Sequence, residues 1–317
     1  MSAKNTIPVV DLTDYLSDDK NRQKKFVEKV GSALRDVGFF ALTNHGLSEE
    51  LVNKSYSVSE KFFDLEESSK IKYENLEIKG QRGYTSFGRE HAKDHDAPDL
   101  KEFWHVGQEF SSELEVVEGY PENIWPSEVE DFEPAMKTVY KQLEACSLKI
   151  LEACSLFIDE DKNLISDTAV NGNTILRLIH YPPIPEDVNP SSVRAAAHED
   201  INLITLLIDA TSSGLELLDR NGEWVPVVTP KGCIIVDSGD MLQNLSNGYY
   251  KATTHRVVNP DDSRNRRFSM PFFVHARSEV SLNPLSSCIE RTGGEQKFAN
   301  ITAGEYLHKR LKEIGLS

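Results

Sequence analysis

Residues 195–208 read AAAHEDINLITLLI, placing a histidine and an aspartate one residue apart ahead of an apolar run. On an extended chain residues i and i+2 share a face, so His198 and Asp200 point together while Glu199 points away. An imidazole beside a carboxylate can ligate a metal, or the two can satisfy one another as a hydrogen-bonded pair ending a buried strand. A metal requires a third group. Of the nine histidines (His45, His91, His95, His105, His180, His198, His255, His275 and His308), His255 in ATTHRVVNP is the best placed, 57 positions after His198 in the same β-rich block. Two histidines and one carboxylate leave coordination positions open and suit non-haem Fe(II). Twelve residues beyond His255, RRFSM sets Arg267 and Ser269 two apart on the apolar strand FSMPFFV. An arginine facing into such a barrel loses solvation unless it meets an anion, and a guanidinium with a hydroxyl on one face makes a fork for a carboxylate. The plain alternatives are an internal salt bridge or an outward-facing residue. Arg266 is the other possible inward arginine, but only Arg267 shares the parity of Ser269.

The elements that must carry these groups are legible as a change of texture. Residues 7–42 contain a short strand IPVVDL, an amphipathic helix with Phe26, Val30, Leu34 and Val37 on one side, and a strand GFFAL opened by Gly38. A second helix starts at Ser48, an N-cap, and carries Leu51, Val58 and Phe62. Residues 80–126, with repeated Gly and Pro, read as long loops near a mouth or edge. The stripe Phe132, Met136, Val139, Leu143, Cys146, Ile150 and Cys154 predicts a long core helix, which makes the two cysteines packing residues. From 173 to 276 short strands alternate with turns: TILRLIHY, AAAHEDINLITLLI, GLELLD, EWVPVV, GCIIVDSGD, ATTHRVV and RRFSMPFFVH. Asn221-Gly222 predicts a tight hairpin in which both residues tolerate positive φ. The closing ITAGEYLHKRLKEIGL predicts a helix whose Tyr306, Leu307, Leu311 and Ile314 dock on the barrel. The fold class is mainly β with flanking helices: a double-stranded β-helix, or jelly-roll, core over about 172–276, an N-terminal α/β section and a long supporting helix. Residues 1–126 form the N-terminal section with its pocket-side loops and 127–317 the long helix, core and C-terminal helix, together one compact unit.

The 317 residues carry 51 acidic against 35 basic side chains, a formal net charge of −16, so the surface field repels nucleic acid and anionic lipid. No signal peptide or apolar stretch of membrane-spanning length is present in the sequence. Four cysteines (Cys146, Cys154, Cys233 and Cys288) form no C-x-x-C pair. The expectation is a soluble, cytoplasmic protein with structural thiols that acts on a small molecule without nucleic acid or membrane partners. Its oligomeric state is not encoded in any visible motif.

These residues, taken in order, resemble the isopenicillin N synthase-like branch of the Fe(II) and 2-oxoglutarate dependent oxygenases. The resemblance is carried by IPVVDL, GFFALTNHGL, GYTSFGRE, PDLKEFWHVGQE, LRLIHYPP, HEDINLITLL, the stretch from GLELLD to ATTHRVV, RRFSMPFF and GEYLHKRL, from residue 7 to about 311. It implies His198, Asp200 and His255 as iron ligands, Arg267 and Ser269 as the carboxylate fork, and Tyr181 as a further co-substrate contact. Arg82, Tyr84, Phe103 and Trp104 lie where pocket-side loops of the family resemble substrate contacts. The chain departs from the family in two places: Ile179-His180-Tyr181-Pro182 where many members read Asn-Tyr-Tyr-Pro, and Asp237 where many have Asn. Asp237 and Asp240 read as turn residues, and His105, His180 and His275 as core or rim histidines.

The implied activity couples oxidative decarboxylation of 2-oxoglutarate, with dioxygen, to oxidation of a small-molecule C–H bond, most simply hydroxylation. The motifs do not separate this from an oxidase of the same family that consumes no 2-oxoglutarate and closes rings or desaturates. A catalytically silent protein that binds metal or dicarboxylate would not need the full set of three ligands plus fork. A zinc-loaded cupin-type isomerase would leave Arg267 and the N-terminal half unexplained.

Overall fold

Alternating side chains build two sheets that face each other across the site. The computed structural model describes residues 6–78, 80–89, 100–109, 120–183, 194–208, 214–258 and 265–313. Its strands are β1 (Val9–Asp11), β2 (Phe39–Thr43), β3 (Gly83–Thr85), β4 (Glu102–Gly107), β5 (Ile175–Tyr181) and β6 (Ala195–His198), followed by β7 (Ile204–Ile208), β8 (Leu215–Leu218), β9 (Trp224–Pro226), β10 (Ile234–Ser238), β11 (His255–Val257) and β12 (Arg267–Val274). The large sheet runs β1-β2-β10-β7-β12-β5-β4-β3 and the small one β6-β11-β8-β9. All pairs are antiparallel except β1 with β2. The helix-flanked, mainly β jelly roll expected from the strand texture is the observed architecture.

Parity decides which side chain goes where. On the large sheet Phe40, Leu42, Trp104, Leu176, Leu178, Leu206, Val236, Phe268, Met270 and Phe272 join the helices in one extended core. Their neighbours in sequence face the small sheet: Phe39, Ala41 and Ile235 meet Leu217 of β8 in a second cluster. The helix Phe132–Phe157 lies on the helix side with its whole predicted stripe buried, including Cys146 and Cys154. The helix Lys20–Asp36 packs there too through Phe26, Val30 and Leu34, and Gly38 turns the chain into β2 at φ +81°, a conformation L side chains resist. Ser48 caps the helix Glu49–Phe63, its hydroxyl accepting from the Leu51 amide at 3.1 Å. The helix Ala303–Glu313 rests its half-buried Tyr306 and Leu307 on the core. No helix among the described residues is long and apolar enough to cross a membrane.

The structure corrects three local readings. Residues 80–126 are not loops throughout, because β3 and β4 lie within them and every residue of β4 is buried. The mixed composition EFWHVG hides that strand: Glu102 and His105 find partners inside, where an isolated reading sees polar breaks. Second, AAAHEDINLITLLI is two strands in two sheets, β6 and β7, with Asp200 in the connection. Third, the hairpin expected at Asn221-Gly222 joins β8 to β9, but only Gly222 adopts positive φ (+79°), and the Asp219 carboxylate organises the turn by accepting from the Asn221 and Glu223 amides. His91, His95 and Ile314 lie outside the described residues.

Candidate functional site

His198 ends β6 and His255 opens β11, and the antiparallel register sets them directly opposite each other, ring centroids 4.5 Å apart. Each ring is fixed by its own backbone: Nδ1–H of His198 donates to the Ala196 carbonyl at 2.7 Å and that of His255 to Thr253 at 3.1 Å. A carbonyl only accepts, so the proton sits on Nδ1 and Nε2 keeps its lone pair. Both Nε2 atoms turn toward Oδ1 of Asp200, at 3.6 Å and 3.8 Å. Asp200 is positioned from the large sheet. Its Oδ2 accepts from the Thr205 hydroxyl on β7, which in turn accepts from the Asn202 amide at 2.9 Å, and its carbonyl accepts from the Asp240 amide at 2.7 Å. Asp200 thus faces His198 through its place in this connection, not through strand alternation.

The trio has the chemistry of a divalent-metal site. One ligand atom from each residue lies within 4.8 Å of the others, and Asp200 is a buried carboxylate whose ion partners among the described residues are only the two histidines. An anion so placed calls for a cation. Burial, together with the adjacent His198, pushes the His255 imidazolium pKa down to about 4, holding the neutral form a metal needs. Asp237, a strand residue of β10 and not a turn residue, is buried on the same interior face; burial and then Asp200 push its carboxyl well above the ordinary range. Asp240, also read as a turn residue, begins the helix Asp240–Leu245.

Arg267 and Ser269 occupy the interior parity of β12, between Phe268 and Met270 that face the helices. Arg266 takes the opposite face and pairs with Glu60 and Asp64 at 2.8 Å and 2.7 Å. Arg267 is 2% exposed and stands in register with Tyr181 of β5, its Cζ 5.0 Å from the tyrosine ring centroid. Tyr181 packs with Ile179 and Phe103 in a small interior cluster. The His255 ring meets Phe39 of the large sheet edge-on at 5.4 Å, so the trio lies between the sheets, on the face that bears Arg267 and Ser269.

The four proposed substrate contacts divide. Phe103 faces this interior. Tyr84 and Trp104 do not: register puts them on the helix side, where Trp104 packs on Phe62 and Phe132 and the Tyr84 hydroxyl donates to Glu102. The expectation of substrate contact is corrected for both, since strand parity, invisible while β3 and β4 read as loop, turns them away. Arg82 is fully buried, its guanidinium so close to the Gly107 backbone that a Cβ there would come within 1.9 Å of Cζ. Sequence reasoning also passed over an interior residue. Arg177 has the parity of Tyr181, lies 4.3 Å over the Phe103 ring and donates from Nε to His105 Nε2 at 2.6 Å. His275, read as a core or rim histidine, is buried with the parity of Ser269, and burial pushes its pKa down to about 4. His180 is a core histidine, its Nδ1 2.7 Å from Glu102 Oε1.

Known proteins agree with this geometry. Residues 7–128 match the family model described as non-haem dioxygenase in morphine synthesis N-terminal, and residues 172–276 the 2OG-Fe(II) oxygenase superfamily model. A crystal structure of a 2OG-Fe(II) oxygenase family protein from Caulobacter crescentus superposes with a TM-score of 0.87 at 36% identity, covering 98% of this chain and 100% of that one. A full-length Neurospora crassa protein crystallised with alpha-KG and thymine gives a TM-score of 0.86 at 27% identity over 98% of both chains. A homoarginine-6-hydroxylase of Oryza sativa subsp. japonica is 29% identical over 96% of each chain. With its jelly roll and its His-Asp-His trio, the chain belongs to the 2OG-Fe(II) oxygenase superfamily and is an Fe(II)- and 2-oxoglutarate-dependent dioxygenase.

Proposed function

We propose that the enzyme hydroxylates a C–H bond of a small molecule, with Fe(II) held by His198, Asp200 and His255 and 2-oxoglutarate received by Arg267, Ser269 and Tyr181. The observation that carries this reading is the convergence of two imidazole Nε2 atoms and one carboxylate oxygen, each ring fixed from behind by a carbonyl. When bound, iron supplies the dioxygen-activating chemistry, coupled to decarboxylation of 2-oxoglutarate to succinate and CO₂. The chain's own residues bind, orient and exclude water. Arg267 offers a planar two-point grip and Ser269 a hydroxyl to the distal carboxylate, and Tyr181 with Phe103 and Ile179 makes the apolar wall beside them. Substrate enters the same interior, which Phe103 faces among the sequence candidates for contact. The thymine bound by the Neurospora crassa protein and the hydroxylase name of the rice relative support a small molecule and a hydroxylation. Four buried, free cysteines support a reducing, cytoplasmic setting.

The test is iron-dependent succinate formation from 2-oxoglutarate by the wild type and by His198→Ala, Asp200→Ala and His255→Ala. Each variant is expected to lose iron and turnover while staying folded. Glu199→Ala, which removes a side chain hydrogen-bonded to Thr254 and outside the trio, is expected to keep iron. Iron retained by Asp200→Ala and lost by Glu199→Ala would overturn the ligand assignment.

A further inference from the structure

Arg194 immediately precedes β6, far in sequence from β5 and β12, yet it closes on the same tyrosine as Arg267. Its Cζ lies 5.8 Å from the Tyr181 ring centroid, against 5.0 Å for Arg267. The side chain is 0% exposed. Nη2 donates to the Asn265 carbonyl at 2.7 Å, whereas Nε and Nη1 are buried without an acceptor. No Asp or Glu among the described residues pairs with it, and its strongest charged neighbour is Arg267, a like charge. Burial first, and then Arg267, lower the guanidinium pKa below its ordinary value, the mark of a cation short of an anion. A buried guanidinium with two unpartnered nitrogens beside a second cation is costly by itself, and a carboxylate bound within reach of Arg194 relieves both its desolvation and the repulsion.

We propose that Arg194 is a second arginine of the co-substrate pocket, completing with Arg267 a clamp on the distal carboxylate of 2-oxoglutarate. The assignment rests on the fork reading above and extends it. A single fork ranks ligands by one planar contact; a clamp donating from both the small-sheet and the large-sheet side demands a second carboxylate at that end. The pocket therefore selects a dicarboxylate 2-oxo acid over a monocarboxylate one, through a residue outside the Arg-x-Ser motif.

The experiment is calorimetric titration of anaerobic, Fe(II)-loaded protein with 2-oxoglutarate and with 2-oxobutyrate, which keeps the 2-oxo acid end and lacks the distal carboxylate. Losing a charge-assisted hydrogen-bond donor set should weaken 2-oxoglutarate roughly 10- to 100-fold in Arg194→Met, with iron binding and 2-oxobutyrate affinity unchanged. Arg194→Lys keeps the buried charge and serves if the methionine variant does not fold; it should weaken 2-oxoglutarate selectively by a smaller factor. Wild-type affinity in a folded variant, or equal weakening of both ligands, would overturn the clamp while leaving the dioxygenase reading intact. Absence of iron-dependent 2-oxoglutarate binding in the wild type would instead remove the fork reading itself.

Discussion

Thr205 shows how much of the site depends on a residue that touches no reacting atom. Its hydroxyl proton goes to Oδ2 of Asp200 because the Asn202 amide already donates to the hydroxyl oxygen, so the carboxylate is held with Oδ1 toward the histidines. Thr205→Val keeps the shape and removes the donor. Iron affinity, read by competition with a chelator, should fall about 10- to 100-fold, with little change in thermal stability of the metal-free protein. At this scale the sequence was informative where near neighbours stay together in the fold: His198 and Asp200 converge, though through the β6–β7 connection and not by strand alternation, and Arg267 and Ser269 share the interior face of β12. It was silent for Thr205 and Arg194, whose contacts join strands distant in the chain, and it took Asp237 of β10 for a turn residue. It misled for Tyr84 and Trp104, where the residue type suggested recognition and the register buries both against helices.

At the scale of elements, the connection between β6 and β7 is held from outside by the turn after β10. A Cβ on Gly239 would come within 2.3 Å of the Asn202 carbonyl, 2.5 Å of its side-chain oxygen and 2.8 Å of the Asp200 carbonyl. Two of these are backbone atoms, which cannot rotate away. Gly239→Ala must therefore move the metal connection or the turn, at a cost of about 1–3 kcal/mol, and iron binding should suffer more than folding does. Comparing the chemical-denaturation midpoint of the metal-free variant with its iron stoichiometry checks this; normal iron content in a destabilised variant would show that the turn yields instead. The strands around this connection were readable from β-branched and apolar runs, and the long helix from its stripe. β4 was not, because its polar residues look like breaks until Glu102 meets Lys70 and His180, and His105 meets Gly80 and Arg177.

Across the whole molecule, buried neutral histidines make the metal-free fold sensitive to acid. His275 holds a pKa near 4 in the fold, because burial disfavours its charged form, against an ordinary value near 6.5. Above about pH 6.5 both folded and unfolded chains carry it neutral, so its contribution is fully present. As pH falls toward 4 the unfolded chain takes up the proton and the folded one does not, so stability is lost progressively, by up to about 3 kcal/mol for this group. Urea midpoints of the metal-free protein should fall across that window, and His275→Gln should flatten the decline. His255, depressed in the same direction, should leave a residual slope in that variant.

The large sheet also sorts the chain's oxidisable atoms. Met136, Met241, Met270, Cys146, Cys154 and Cys288 all belong to the core on its helix side; Cys233 alone among these sulfur residues lies between the sheets. Eight strands of backbone thus stand between almost all of the thioethers and thiols and the interior where dioxygen is activated. Damage from turnover that misses its substrate should accordingly fall on the facing rings and on Cys233, with Phe39, Phe103 and Tyr181 modified before any of these methionines. Peptide mass spectrometry after aerobic incubation with iron and 2-oxoglutarate but no substrate reads this directly: early methionine sulfoxide at Met270 would mean the oxidant leaves the interior, whereas aromatic hydroxylation confined to the inner face would make the sheet a firewall the enzyme carries against its own chemistry.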